Sequence, residues 1–240
     1  ITREAVEDAA RDNVKYMELR FTPVALSRAE RFPLHDVIDW VITSANEAAQ
    51  KHNMTVRLIA SVNRHESTEL AEQVAWLAVE NAKNGMVGLD LAGNEAEFPY
   101  QPFYGIFKEA KQAGLHVTIH AGEWGPAQHV KDAIQEIGAE RIGHGVRVVE
   151  DENVMALARE SGVAVVAGDT KVVRRGEGGG LYLSVAGIGV KRAQAKLAIE
   201  SIAPGDVVLV SGPVGDHGIS VMLAREQFGL SGELRSDSAS

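Results

Sequence analysis

Three residues, His120, Glu123 and His144, have the types and the spacing to act together on a small polar ligand. His120 and Glu123 stand three apart in Thr118-Ile-His-Ala-Gly-Glu123, and His144 lies in Arg141-Ile-Gly-His-Gly145. A histidine leaving a strand can bind a divalent metal such as zinc through a neutral ring nitrogen. Glu123, on a Gly-containing turn beside it, could pass a proton to a ring nitrogen of a heterocycle while a metal-activated water attacks the adjacent carbon. His144, at the next strand end, could stabilise that oxygen or the developing charge. Taken singly, either histidine reads as structural and Glu123 as a solvated carboxylate; three such groups at successive strand ends make a site. Gly88-Leu-Asp-Leu-Ala-Gly-Asn-Glu95 adds two candidates. Gly93 would let a backbone N–H approach a flat ligand closely, and Asp90 could orient a neighbouring histidine from behind; a turn and a cap are the alternative. Glu18 and Arg20 read as an ion pair with each other in the same mouth. His35, His52, His65 and His129 read as surface histidines, and Trp124 is the tryptophan beside the site.

The elements that must position these groups alternate between strand and helix patterns over the first 160 residues. Strands are expected at 16–21, 55–60, 86–91, 116–120 and 140–144, and helices at 2–13, 35–52, 67–83, 102–113, 127–137 and 153–160. Consecutive β/α units of this kind are the pattern of a partial (β/α)8 TIM-type barrel, whose strand ends converge on one face. A doubly wound sheet competes, but the Gly-rich phosphate turn expected after its first strand is missing. The α/β barrel is favoured. The segment Val163-Ala-Val-Val166 could take the place of its seventh strand. From Gly168 onward glycine becomes dense, with short strands expected at 181–185 and 206–210 and a helix at 219–227.

A formal net charge of -9 argues against nucleic acid or an anionic membrane as partner. Cysteine is absent, which removes disulfides, thiolate metal ligands and thiol nucleophiles and fits a cytoplasmic setting. No apolar run is long enough to span a bilayer and no signal peptide is recognisable. The chain starts at Ile1 inside an amphipathic stretch and stops at Ser240 without a clear terminal element, so both ends are read as cut. The composition assigns no oligomeric state.

Residues 1 to about 160 resemble the adenosine/adenine deaminase family through Tyr16-Met-Glu-Leu-Arg-Phe-Thr-Pro23, Gly88 to Glu95, Thr118 to Glu123 and Arg141 to Gly145. The resemblance implies a zinc hydrolase that replaces a purine 6-amino group with oxygen, acting on adenosine, adenine or a related small aminopurine. It makes His120 a zinc ligand, Glu123 the proton donor to purine N1 and His144 the group that orients the attacking oxygen. The Gly93 backbone would contact purine N3, with Asp90 beside it in the substrate site. The family also takes zinc ligands from a His-x-His on its first strand and from an Asp-Asp pair on its last, and neither motif occurs in these 240 residues. An incomplete zinc site and impaired activity are therefore expected.

Residues 161–240 resemble the hydrogenase expression/formation protein HypE, through Ala167-Gly-Asp-Thr-Lys-Val-Val173, Pro204 to Gly218 and Arg235-Ser-Asp237. That resemblance implies a partial α+β PurM-like segment from an ATP-using enzyme of hydrogenase maturation. Asp169 would lie near Mg-ATP and Lys171 near its phosphates. The expected whole is a chimera, with a deaminase-like barrel over 1–160 and a HypE-like fragment over 161–240.

Overall fold

In a computed structural model of the chain, residues 1–166 and 184–186 are described, together with 203, 205 and 207. Two compact units divide the chain, Ile1–Ile188 and Gly189–Ser240. The first opens with α1 (Thr2–Arg11), β1 (Tyr16–Phe21), α2 (Pro23–Glu30), α3 (Leu34–Lys51) and β2 (Thr55–Asn63). It continues with α4 (Thr68–Glu80), β3 (Met86–Ala92), α5 (Tyr104–Gln112), β4 (His116–Ala121) and α6 (Ala127–Asp132). Then come β5 (Arg141–His144), α7 (Glu152–Glu160), β6 (Ala164–Val166) and β7 (Ser184–Ala186).

The five strands expected between residues 16 and 144 form within three residues of their predicted limits, because each is an apolar–polar alternation bounded by turn residues. Among the described residues the sequence reading lacks the short 3-10 helix Val146–Glu150 and one α-helix, α2, which starts with Pro23 at a first-turn position where a missing N–H costs nothing. The helix expected over 127–137 is α6 continued by a π-helical turn, Ala133–Ile137. Val163–Val166 does enter the sheet, with β6 parallel to β5. Of the strand expected at 181–185, the described part, Ser184–Ala186, pairs antiparallel with β1. Asp169, Lys171, the helix expected at 219–227 and, apart from Val207, the strand expected at 206–210 lie outside the described residues.

The strand order is β6-β5-β4-β3-β2-β1-β7, with β1 to β6 parallel. Alternation along β1 sends Met17, Leu19 and Phe21 to the outer face, where they are buried, and Glu18 and Arg20 to the inner face. On the outer face they join Leu58, Leu89, Ile119 and Ile142 under α1, α3 and α5, from which Val6, Ile38 and Phe107 pack inward. The inner face carries charge. Glu18 on β1 meets Arg141 on β5 through both guanidinium nitrogens, Nη2 lying 3.2 Å from Oε1. In a flat sheet four strand spacings would hold β1 and β5 about 19 Å apart, beyond the reach of these two side chains. The sheet is therefore curled as in a partial barrel, and the doubly wound alternative is removed.

Phe107 is fully buried between α5 and the sheet. Phe107→Ala is expected to lower unfolding free energy by about 3–5 kcal/mol, measurable as a drop in the urea midpoint with the slope unchanged.

Candidate active site

The inner face brings together residues from four strands. Arg20 on β1 donates to Asp90 Oδ2 on β3 at 2.5 Å, and Ser61 Oγ on β2 donates to the same oxygen at 2.9 Å. Arg20 Nη1 also lies 3.0 Å from His120 Nε2 on β4. The Glu18–Arg20 pair expected within β1 does not form: residues i and i+2 share a face, but each finds a partner across the curl, Arg141 for Glu18 and Asp90 for Arg20. Asp90 is 0% exposed. Burial alone would push its carboxyl up, but the charges of His120 and Arg20 and their hydrogen bonds hold it well below the usual range.

His120 is the last residue but one of β4 and His144 ends β5, and parallel register brings their rings together: His120 Nδ1 is 3.0 Å from His144 Nε2. Gly143, paired with His120 across the ladder, makes this possible. A Cβ there would stand 2.8 Å from the His120 ring. Glu123, on the turn after β4, reaches His144 Nε2 with Oε2 at 3.1 Å. Burial and the neighbouring His120 lower the His144 pKa, which favours the neutral ring at physiological pH.

His120 Nε2 stands between the Arg20 guanidinium and Asp90 Oδ1, 3.4 Å away, and accepts from the first or donates to the second according to its tautomer. Its Nδ1 and a Glu123 carboxylate oxygen both face His144 Nε2. His120, Glu123 and His144 thus form one cluster of possible metal donors. Their ligand atoms lie within 4.8 Å of one another, and two imidazoles with a carboxylate is a donor set that catalytic zinc accepts. The residues present thus fit the metal in type.

Gly93 follows β3 with φ +101°, and a Cβ on it would lie 3.2 Å from the Arg64 backbone nitrogen. Trp124 stands 56% exposed next to Glu123. Two residues went unassigned in the sequence. Glu95, 4% exposed, accepts the backbone N–H groups of Gly122, Glu123, Trp124 and Gly125 at 2.7–3.0 Å. His129 Nδ1 lies 2.9 Å from Glu95 Oε2, so this histidine is not a plain surface residue. Burial pushes the Glu95 carboxyl up, and the Gly125 amide, the His129 ring and the neighbouring amides outweigh it, leaving a lowered pKa. Arg64, also buried, donates to the His120 carbonyl at 2.8 Å. The signal for Glu95 was its place at the end of the strand–turn motif that carries Asp90 and Gly93, since a carboxylate there must find donors.

A curled parallel sheet with helices outside and a His/Glu/His cluster at its strand ends defines an α/β protein of the barrel type with a candidate metal centre. The chain belongs to the adenosine deaminase family, whose sequence profile matches residues 1–168. It is 40% identical over 167 residues to adenosine deaminase of Erwinia tasmaniensis, covering 69% of this chain and 49% of that protein. A zinc-bound amidohydrolase from Burkholderia ambifaria superposes with TM-score 0.63 and 27% identity, over 69% of this chain and 45% of that one. Adenine deaminase of Arthrobacter aurescens superposes with TM-score 0.59 and 29% identity, over 66% and 48%. The chain spans about half the length of the curated relatives it matches. Among the described residues no helix is long and apolar enough to cross a membrane.

Burial of Glu18 against Arg141 yields a pH prediction. The Arg141 hydrogen bond lowers the Glu18 pKa and Glu18 raises that of Arg141. A depressed carboxyl stabilises above its unfolded value, near 4.3, and the contribution is lost as pH falls through the folded value. Glu18→Gln is expected to cost about 1–3 kcal/mol at neutral pH. In urea titrations across pH the gap to the parent should close below about pH 4.

Proposed function

We propose that the chain derives from a zinc-dependent enzyme that hydrolytically deaminates a small aminopurine of the adenosine or adenine type. The observation that carries this reading is the convergence of His120, Glu123 and His144 at adjacent strand ends in a chain of the adenosine deaminase family. His120 would hold the metal, with Glu123 and His144 beside it as the acid and the group that handles the water. Zinc, when bound, supplies Lewis-acid activation of a water at neutral pH. Glu123 would hand a proton to purine N1, which leaves the amino-bearing carbon electrophilic. His144 would orient the attacking water and take its proton as the carbon–oxygen bond forms. Returning that proton to the amino nitrogen lets ammonia leave, and the remaining hydroxyl proton passes to Glu123 as the carbon becomes a carbonyl, which restores both side chains. Gly93 would present its backbone to purine N3, while buried Asp90 holds Arg20 and, through it, His120 beneath the substrate.

The same reading assigns weak zinc binding and low turnover to the 240-residue chain, which carries His120 but neither a His-x-His nor an Asp-Asp motif. Purified chain supplemented with zinc should convert adenosine slowly, followed as loss of ultraviolet absorbance and release of ammonia. Glu123→Gln is expected to reduce the residual kcat about 10²–10⁴-fold. Parent-like turnover in that variant would remove Glu123 as the acid, and absence of any zinc-dependent turnover in the parent would remove the deaminase reading for this chain.

A second reading concerns residues 161–240, which we assign to a HypE-like, ATP-binding segment with Asp169 and Lys171 at Mg-ATP. Support comes from the motif string there and from the deaminase match stopping at residue 168. Mg-ATP should then raise the thermal midpoint of the chain, since a ligand that binds only the folded state stabilises it. An unchanged midpoint at saturating nucleotide would count against the segment.

A further inference from the structure

The turn that carries Glu123 is held by a buried carboxylate that no part of the reaction uses. After β4 the backbone passes through Gly122 at φ +70°, and the amides of residues 122 to 125 turn toward one point. Successive N–H groups that converge in this way form a concavity that attracts an anion. Here the anion is a side chain of the protein. Glu95 Oε2 accepts from Gly122 at 3.0 Å, and Oε1 accepts from Glu123 at 2.7 Å and from Trp124 and Gly125 at 2.9 Å. The remaining contact of Oε2 is His129 Nδ1 at 2.9 Å. Gly125 is required by the close fit, since a Cβ on it would stand 2.1 Å from His129 Nδ1 and 3.1 Å from the Glu95 carboxyl carbon.

We infer that Glu95 is a positioning residue: its carboxylate fixes the conformation of residues 122–125 and thereby holds the Glu123 side chain against His144. Without it, several N–H groups in a buried or half-buried turn lose their acceptor, which favours a different backbone path. Glu123 would leave the 3.1 Å contact with His144 Nε2 that the present path creates. The consequence for turnover rests on the deaminase reading; the positioning itself does not.

The test compares the full chain with Glu95→Gln, which keeps the shape but puts an amide donor where an acceptor is needed. Two quantities are measured: hydrogen exchange of the amides of residues 122–125, and the imidazole nitrogen resonances of His144 by NMR. Glu123→Gln supplies the reference for a His144 that has lost its carboxylate. The expected result is exchange about tenfold faster or more at those four amides, with β3 and β4 unchanged, and a His144 resonance displaced toward that of Glu123→Gln. Outer residues that orient a site of this kind are worth about 10–100-fold in metal affinity or activity, so kcat should fall in that range with KM little altered. Unchanged exchange overturns the inference, and so does faster exchange with His144 at its parental position, which would mark Glu95 as a merely structural anchor. If Glu95→Gln does not fold, Glu95→Asp withdraws the carboxylate by one methylene, and the same two measurements decide. A parent chain that never converts adenosine would defeat the deaminase reading alone, because both measurements stand without turnover.

Discussion

The inner face of the sheet is organised around the cost of burying Asp90. An ionised carboxylate with no solvent contact needs compensating charge and hydrogen bonds, or it takes up a proton. Arg20, Ser61 and His120 supply them from three other strands. Ser61 and His120 stand on the strands that flank β3 and Arg20 one strand further, while the curl of the sheet is drawn tighter by Glu18 and Arg141, which lie four strands apart in sheet order. Charge complementarity on the inside and apolar packing on the outside thus impose the same curvature. Arg20 links the two roles, since its guanidinium touches both the buried carboxylate and the ring of His120.

Above this layer, a second carboxylate governs the turn that bears Glu123. Glu95 and Asp90 belong to the same strand–turn segment, yet they act in different directions. Asp90 works inward, toward Arg20 and His120, whereas Glu95 works outward, on backbone amides after β4. Buried Arg64 ties the two levels by donating to the His120 carbonyl while lying in the field of both carboxylates. The histidine and glutamate of one short motif are therefore positioned by separate supports, one through a ring nitrogen and the other through main-chain N–H groups.

Much of this was legible in the amino-acid order. Apolar alternation marked β1 to β5 within a few residues, and the His–x–x–Glu and Gly–His–Gly spacings marked the three groups that meet at 4.8 Å. Those features are local: strand period and turn composition act over neighbouring residues. Partner choice is not local. Glu18 and Arg20, two apart and opposite in charge, were expected to pair, but side chains on one face of a strand project in parallel, and curvature brought each a better partner from 123 or 70 residues away. The partners of Glu95 and His129 were not legible for the same reason, since the four amides and the ring converge only when α6 packs beside β4. The amino-acid order determined which groups this chain could use and at which strand ends they stand. Only the tertiary structure decided which of them touch, because long-range contacts follow from sheet curvature and burial rather than from spacing along the chain.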